Sequence, residues 1–184
     1  MTEKEKMLAG ELYNPADKEL INDRRRAKIL CNKFNDLNPT DQEDKKSLLN
    51  ELFKTQTECH IEPNFFCDYG YNIKIGKEFY ANHNCVILDV NIVEIGSNVM
   101  FGPNVQVYTA THPINPVERN SGKEMGYPIK IGDNVWVGGG SIICPGVTIG
   151  DNAVIAAGSV IIKDVPANVV VGGNPSRIIK EIII

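Results

Sequence analysis

The chain has 184 residues, of which 23% are charged and 42% are hydrophobic, and its formal net charge is −4 at pH 7. This length allows a sizeable core but is short for two full domains, and the acidic balance gives no global attraction to nucleic acid or anionic membranes. Because the N-terminus carries no apolar signal region and the apolar runs are too short to span a bilayer, we expect a cytoplasmic protein.

Residues 1–60 are predicted to form a small helical segment. Asn14 followed by Pro15 is typical of a helix start. The apolar residues that follow with helical spacing are Ala27, Leu30, Cys31 and Phe34. We expect this helix to end at Asn38-Pro39, and Thr40 with Glu43 predicts a capping box for a second helix. The apolar face of that second helix is Leu48, Leu49, Leu52 and Phe53.

From about residue 61 onward, the hydrophobic period is six. One aliphatic row consists of Ile131, Val137, Ile143, Ile149, Ile155 and Ile161. A second row of small or β-branched residues consists of Val135, Ser141, Val147, Ala153, Ser159 and Val165. No α-helix has this period, whereas a coil of short parallel strands stacks one inward side chain on the next at each turn. We therefore predict a mainly β parallel helix over residues 61–184.

Two interruptions break the six-residue rows. Ile95 falls two residues out of the phase set by Ile75 and Ile87, which predicts a bulge or short loop between Asp89 and Val93. The larger interruption spans residues 109–128 and must loop out of the coil. Long loops on rigid scaffolds often carry function, so this loop is the first place to look for a site.

The five cysteines indicate reduced thiols. They are Cys31, Cys59, Cys67, Cys85 and Cys144. Their number is odd and no two are spaced as CxxC, so we expect neither a disulfide framework nor a cysteine zinc site.

Several strings of residues carry a resemblance to a known family. They are 5–13 (EKMLAGELY), 67–72 (CDYGYN), 109–113 (TATHP), 134–139 (NVWVGG) and 171–175 (VGGNP). Together with the hexads, they resemble the maltose and galactoside acetyltransferase branch of the hexapeptide-repeat acyltransferases. The resemblance implies a left-handed parallel β-helix that moves an acetyl group from acetyl-CoA to a sugar hydroxyl, without a metal. It also implies a homotrimer with sites between neighbouring subunits.

The resemblance assigns the chemistry to two residues. It makes His112, in the extruded loop, the general base, since an imidazole can take a proton from a sugar hydroxyl near neutral pH. Asn82 would donate a hydrogen bond to the oxyanion of the tetrahedral intermediate. Without the family, a surface or turn histidine is the better explanation of His112, whereas Asn82 is equally explained as a turn or ladder asparagine.

The same resemblance implies which residues bind the acceptor and which bind acetyl-CoA. The acceptor-binding residues would be Asp17, Asp68, Tyr80, Asp89 and Glu124, although Asp17 is equally explained as a carboxylate at a helix start. The residues that bind acetyl-CoA would be Trp136, Gly139, Ala157, Ile162, Lys163, Arg177 and Lys180. Ile162 stands where relatives commonly carry threonine and Lys180 where some carry arginine, which implies a looser phosphate contact because lysine lacks a bidentate fork.

Other readings of the coil are weaker. A zinc carbonic anhydrase would need three converging histidines, and an ice-binding coil would need a flat threonine ladder. The strongest alternative is the same acetyl transfer to a different acceptor, namely a galactoside, a nucleotide sugar, an amino acid or an antibiotic. Over these acceptors, a glucosyl group is favoured because Asp68 and Glu124 match the maltose-type pattern.

Overall fold

The chain forms a parallel β-solenoid of about six turns preceded by a small helical segment. The computed structural model describes residues 1–183, so residue 184, the last of the predicted β-helix domain, lies outside the described residues. The predicted mainly β parallel helix is therefore confirmed.

The helices are shorter and more numerous than the sequence patterns predict. They are α1 (Glu3–Leu8), α2 (Lys18–Asn35), α3 (Gln42–Phe53) and α4 (Pro116–Arg119), the last within the extruded loop. The predicted apolar faces of α2 and α3 are buried, apart from the half-buried Leu48, which packs against the same core. None of the helices in residues 1–183 has the length and hydrophobicity that a membrane span requires.

The helix ends differ from the prediction. Asp17, not Asn14, caps α2, because its carboxylate accepts the backbone N–H groups of Glu19 and Leu20. The capping box predicted at Thr40 is wrong, since α3 begins after Asp41 without a side-chain cap from within the described chain. A capping box does occur at α1, which the sequence analysis missed, between Thr2 and Glu5.

Three parallel sheets form the sides of the coil, with strands numbered in chain order. The seven-stranded sheet contains β1 (His60–Ile61), β4 (Tyr80–Ala81), β7 (Met100–Phe101), β12 (Trp136–Val137), β15 (Val154–Ile155), β17 (Val169–Gly173) and β18 (Ser176–Glu181). The five-stranded sheet contains β2 (Phe66–Cys67), β5 (Val86–Leu88), β8 (Gln106–Tyr108), β13 (Ile142–Ile143) and β16 (Val160–Ile161). The four-stranded sheet contains β3 (Ile73–Ile75), β6 (Val93–Ile95), β11 (Ile129–Ile131) and β14 (Thr148–Ile149). Only β18 runs antiparallel within these sheets of the described chain.

Both predicted rows of side chains point into the core. Every member of the aliphatic row from Ile131 to Ile161 is at most 1% exposed, and the second row is at most 4% exposed. Burying one Val or Ile side chain contributes roughly 1.5–3 kcal/mol, so the stacked rows contribute substantially to the stability of the solenoid. The serines of the second row keep their hydroxyls bonded, since Ser141 and Ser159 both donate to the Ala156 carbonyl.

Apart from the turn that carries the extruded loop, the first two turns are the longest in the coil. Tyr80 pairs with Met100 twenty residues later, whereas Trp136 pairs with Val154 after eighteen. The two extra residues of the second turn lie between β5 and β6, where the sequence predicted a bulge or loop. The sequence analysis missed a matching insertion between β2 and β3. An insertion shows up as a shift in the six-residue spacing, and no regular spacing precedes this one for comparison.

The predicted extruded loop is also confirmed. It leaves the coil after β8 and returns at β11, and it contains α4 and the antiparallel strands β9 (Ala110–Thr111) and β10 (Met125–Gly126). We call β9, β10 and the residues between them the extruded hairpin. Its root lies at the corner where the five-stranded sheet meets the four-stranded sheet.

Candidate active site

A pocket of about 560 Å³ lies between α2, the long turns of the coil and the extruded hairpin. Its walls are formed by Pro15, Ala16, Ile21, Arg24, Lys28, Asp68, Tyr69, Leu88, Val90, Ala110, His112 and Glu124. The pocket thus brings together three residues that the sequence analysis selected from distant segments, namely Asp68, His112 and Glu124.

His112 and Glu124 occupy opposing positions on the extruded hairpin. Ala110 pairs with Gly126 and Thr111 with Met125, so the next opposing positions along the two chains are 112 and 124. Opposing residues of an antiparallel pair lie on the same face, with Cβ atoms roughly 4.5–5.5 Å apart in regular pairs. The imidazole and the carboxylate are therefore presented to the pocket by one short piece of structure.

Tyr13 holds Glu124 from the other side. The two residues form an antiparallel bridge in which each backbone N–H donates to the other's carbonyl, at 3.0 and 3.1 Å. The Tyr13 phenol also donates to Oε2 of Glu124 at 2.8 Å. Burial, followed by the hydrogen bond to Glu124, raises the pKa of Tyr13 far above its usual range, so this phenol remains a donor.

Asp68 is a partly buried carboxylate beside two cations. Burial raises its pKa and the charge of Glu124 adds to this effect, whereas Arg24 and Lys28 lower it. A carboxylate in this position can accept hydrogen bonds from two hydroxyls of a ligand. The Asp68 backbone is fixed from below, because its N–H donates to Oδ1 of Asp89 at 3.0 Å.

Asp89 requires a correction to the expected acceptor-binding set. It has no exposed surface, so its carboxylate does not reach a ligand in the pocket. Oδ1 accepts the N–H groups of Asp68 and Tyr69, while Oδ2 is buried without a hydrogen-bond partner in residues 1–183. Burial raises the pKa of Asp89 to about 8. Its physical role is to hold the loop that carries Asp68.

One face of α2 forms a wall of the pocket that the sequence analysis missed. Ile21, Arg24 and Lys28 follow one another at intervals of three and four residues and therefore share a helix face. Arg24 donates to the Tyr69 hydroxyl at 2.7 Å and also to the Pro15 carbonyl. The spacing was visible in the sequence, but a polar helix face opposite an apolar stripe is ordinarily solvated.

Asp17 is occupied in capping α2 and is not one of the pocket-lining residues in the described chain. Its neighbours Pro15 and Ala16 line the pocket instead. The structure therefore favours the helix-start explanation of this carboxylate.

Tyr80 and Asn82 lie at a different corner of the coil. They belong to β4 and the turn after it, where the seven-stranded sheet meets the five-stranded sheet. The Tyr80 ring stacks on His60 with ring centroids 5.5 Å apart, and Oδ1 of Asn82 accepts the N–H of His83 at 2.7 Å. Within the described chain, neither residue lines the pocket that holds His112.

Three predicted acetyl-CoA residues follow the same edge as Tyr80. The register aligns Tyr80 with Met100 and Trp136 along the seven-stranded sheet, and Gly139 and Ala157 follow in the adjoining turns. A Cβ at Gly139 would lie 3.0 Å from the Pro103 carbonyl oxygen, so this corner is closely packed.

The remaining predicted acetyl-CoA residues lie elsewhere. Ile162 and Lys163 follow β16 at the same corner of the coil as the extruded hairpin but two turns further along, and Ile162 is half-exposed. Arg177 and Lys180 lie on β18, opposite Gly172 and Val170. One chain therefore separates the predicted site into a pocket with His112 and an edge with Asn82 and Trp136.

In the part of the chain that the structure describes, no group of three His, Cys, Asp or Glu side chains is placed to hold a metal ion.

Comparison with known proteins gives consistent matches over the whole chain. Residues 6–56 match the maltose acetyltransferase hexapeptide capping motif, and residues 128–163 match the bacterial transferase hexapeptide (six repeats). A protein of Dictyostelium discoideum, named only provisionally as an acetyltransferase, is 53% identical over 99% of this chain and 95% of its own length.

Two solved structures are similar in both sequence and fold. The crystal structure of a maltose O-acetyltransferase from Clostridium difficile 630 is 53% identical with a TM-score of 0.98, covering 100% of this chain and 99% of that one. A galactoside acetyltransferase in complex with coenzyme A is 43% identical with a TM-score of 0.93, covering 100% of this chain and 92% of that one.

Proposed function

The chain belongs to the maltose and galactoside acetyltransferase branch of the hexapeptide-repeat acyltransferases, and from this premise we propose that it acetylates a glucose-type sugar with His112 as general base. It is an O-acetyltransferase that uses acetyl-CoA as its co-substrate. The observation that carries the proposal is the pocket that places His112 beside the carboxylates of Asp68 and Glu124.

In the proposed reaction, both substrates are bound at once. The His112 imidazole takes the proton of a sugar hydroxyl as the oxygen attacks the thioester carbonyl of acetyl-CoA. The tetrahedral intermediate then collapses, the C–S bond breaks, and the CoA thiolate receives the proton held by His112. General base action typically contributes about 10²–10⁴-fold, and positioning the two substrates contributes further.

The acceptor is proposed to lie against the two carboxylates. Asp68 and Glu124 can each accept hydrogen bonds from neighbouring hydroxyls, and Arg24 and Lys28 supply donors from the α2 wall. The pocket volume of about 560 Å³ is ample for one or two sugar rings. Similarity to a maltose O-acetyltransferase supports a glucosyl acceptor.

We propose that a neighbouring copy supplies Tyr80 and Asn82, as a homotrimer with sites between subunits requires. The separation of these residues from His112 is the first support. The second is the exposed apolar surface: Met100 and Trp136 are 50% and 52% exposed on one face, and Ile114 is 94% exposed in the extruded hairpin. Apolar patches of this kind mark contact surfaces.

The proposed acetyl-CoA path begins at the edge that carries Trp136, Gly139 and Ala157. Small residues at the last two positions allow the pantetheine arm to approach the backbone. Ile162 and Lys163 would continue the path, and the cations Arg177 and Lys180 on β18 would bind phosphates.

We also propose the division into residues 1–60 and 61–184, and a cytoplasmic location. The location is supported by the five cysteines, which are free thiols even though the Sγ atoms of Cys31 and Cys67 lie only 3.8 Å apart.

The test is release of free CoA from acetyl-CoA in the presence of glucose, maltose, a galactoside, a nucleotide sugar, an amino acid or an aminoglycoside. Release stimulated most by glucose or maltose supports the proposal. Stimulation only by a galactoside or by one of the other acceptors would reject the glucosyl assignment while preserving the acetyltransferase activity.

A further inference from the structure

Asn91 is a buried polar residue in the insertion between β5 and β6, with only 2% of its surface exposed. Its backbone N–H donates to Oγ1 of Thr109 at 2.9 Å, and its Oδ1 accepts the N–H of Ile92 at 2.7 Å. Its Nδ2 donates to the Gly126 carbonyl at 2.9 Å and to the carbonyls of Met7 and Leu8, each at 3.3 Å. Through its backbone and side chain together, Asn91 is thus bonded to both ends of the extruded hairpin and to α1.

Two of these partners are the two ends of the extruded hairpin. Thr109 immediately precedes β9, and Gly126 ends β10, so they lie three and two residues from His112 and Glu124. The Thr109 hydroxyl continues the connection by donating to the Leu88 carbonyl of β5 at 2.7 Å. Asn91 therefore fastens both ends of the hairpin to the rigid coil.

Packing strengthens the same junction. A Cβ at Gly126 would lie 2.8 Å from Cγ1 of Val90, so the end of β10 rests directly on the residue before Asn91. The hairpin has little internal pairing, since β9 and β10 pair over only two positions. A short hairpin with so few internal bonds depends on its anchors for its orientation.

The third partner is the C-terminal end of α1, whose Met7 and Leu8 carbonyls accept from Asn91. The chain continues from there to Tyr13, which holds Glu124 by backbone and phenol. One buried amide is therefore shared by the coil, the hairpin and the N-terminal segment that together enclose the pocket.

We propose that Asn91 is a positioning residue for acetyl transfer, which holds the extruded hairpin so that His112 and Glu124 face Asp68. This inference rests on the proposed function of His112. Displacement of a reacting group by about 1 Å can cost on the order of 10²-fold in rate, so loss of the anchor is expected to affect turnover.

The experiment compares Asn91→Ala with Ile155→Val, a core substitution far along the coil that lowers stability without touching the hairpin. Each is assayed for kcat, for the KM of acetyl-CoA and for amide hydrogen exchange. We expect Asn91→Ala to lower kcat roughly 10- to 100-fold, to leave the KM of acetyl-CoA within about twofold, and to accelerate exchange selectively in residues 109–128. We expect Ile155→Val to leave kcat and the KM of acetyl-CoA close to the wild-type values. It should not accelerate exchange selectively in residues 109–128.

A second pair of variants keeps the test decisive if Asn91→Ala does not fold. Thr109→Val keeps the shape of the side chain but removes the hydroxyl that accepts from the Asn91 backbone N–H and donates to the Leu88 carbonyl, so it loosens the other end of the same anchor. Thr109→Ser keeps the hydroxyl. We expect Thr109→Val to lower kcat and loosen the hairpin, and Thr109→Ser to retain most of the activity.

Two results would overturn the inference in distinguishable ways. An active wild type with unchanged kcat and hairpin protection in Asn91→Ala, or in Thr109→Val where Asn91→Ala does not fold, rejects the positioning role alone. A wild type that acetylates none of the acceptors rejects the proposed function and, with it, a role for Asn91 in transfer.

Discussion

The Tyr13 phenol donates a hydrogen bond to Oε2 of Glu124 at 2.8 Å, and the same two residues also exchange two backbone hydrogen bonds. Tyr13 belongs to the helical segment and Glu124 to the hairpin extruded from the coil. Because Arg24 and Lys28 of α2 line the same pocket, the helical segment is part of the site rather than a cover over the end of the coil.

The first prediction concerns this hydrogen bond. Tyr13→Phe removes one donor from the Glu124 carboxylate without changing the packing of the ring. We expect kcat/KM for the sugar to fall roughly tenfold, in line with the loss of a hydrogen bond to a charged group, and the KM of acetyl-CoA to stay constant. The matched control is Tyr127→Phe, a partly exposed tyrosine whose hydroxyl contacts Met125. Equal effects of the two substitutions would contradict a specific role for Tyr13.

The second prediction tests the proposed base directly. His112→Ala is expected to lower sugar-dependent kcat by about 10²-fold or more, with unchanged thermal stability and acetyl-CoA affinity. The imidazole lies on a surface pocket, so its removal leaves no buried cavity to destabilise the fold. Steady-state CoA release measures kcat, and calorimetry measures the thermal stability and the affinity for acetyl-CoA. Release that survives the substitution would remove His112 from this role.

The third prediction follows from burial of Asp89, whose pKa is raised to about 8. An unfolded aspartate titrates near 3.9, so between about pH 4 and pH 8 the folded state holds a proton that the unfolded state has lost. The free energy of unfolding should therefore decline as pH rises through this range, by up to about 1.4 kcal/mol per pH unit from this group.

Asp89→Asn removes that dependence, because the amide does not titrate. Urea unfolding from pH 5 to pH 8.5 should give profiles that lie closest at low pH and diverge as pH rises, because only the wild type loses stability as its buried carboxyl ionises. Asp44→Asn, at an exposed carboxylate of α3, serves as the control and should leave the wild-type slope intact. Parallel profiles for wild type and Asp89→Asn would show that Asp89 is ionised in the folded protein.

The fourth prediction uses Trp136, the single tryptophan of the chain. Its ring is 52% exposed on the edge assigned to acetyl-CoA, so binding there should change its emission. We expect titration with CoA to give a saturable fluorescence change, and Trp136→Phe to lose the signal and weaken binding by calorimetry. A saturating calorimetric titration without any spectral change would place the cofactor path elsewhere.

The sequence predicted the coil well because its core is periodic. Each inward position of the aliphatic row beginning at Ile131 repeats one local environment, so the pattern alone specifies both strand and burial. The helix starts were less predictable, because Asn14-Pro15 suits a turn as well as a cap, and Asp17 three residues later made the cap instead. The capping role of Thr2 was missed because α1, the helix that it caps, is only six residues long.

Some residues of the pocket were predictable from the sequence, but their arrangement was not. Sequence motifs named Asp68, His112 and Glu124, and the fold brings them together. Asp89 could not be assigned correctly, since its burial depends on how two consecutive turns stack. Asn82 and His112 are separated because they lie at different corners of the coil. Their spacing along the chain does not reveal which corner each one occupies.

That separation gives the last prediction. If each site combines His112 of one subunit with Asn82 of its neighbour, then His112→Ala and Asn82→Ala damage different halves of the same site. In a trimer assembled from both variants at random, about a quarter of the sites receive the two intact halves. Co-expression of the two variants should therefore restore activity well above that of either variant alone. Separately purified variants that are mixed without subunit exchange should show no such gain, which provides the control. If co-assembled trimers are as inactive as the single variants, His112 and Asn82 act within one chain, and the proposed site between subunits is wrong.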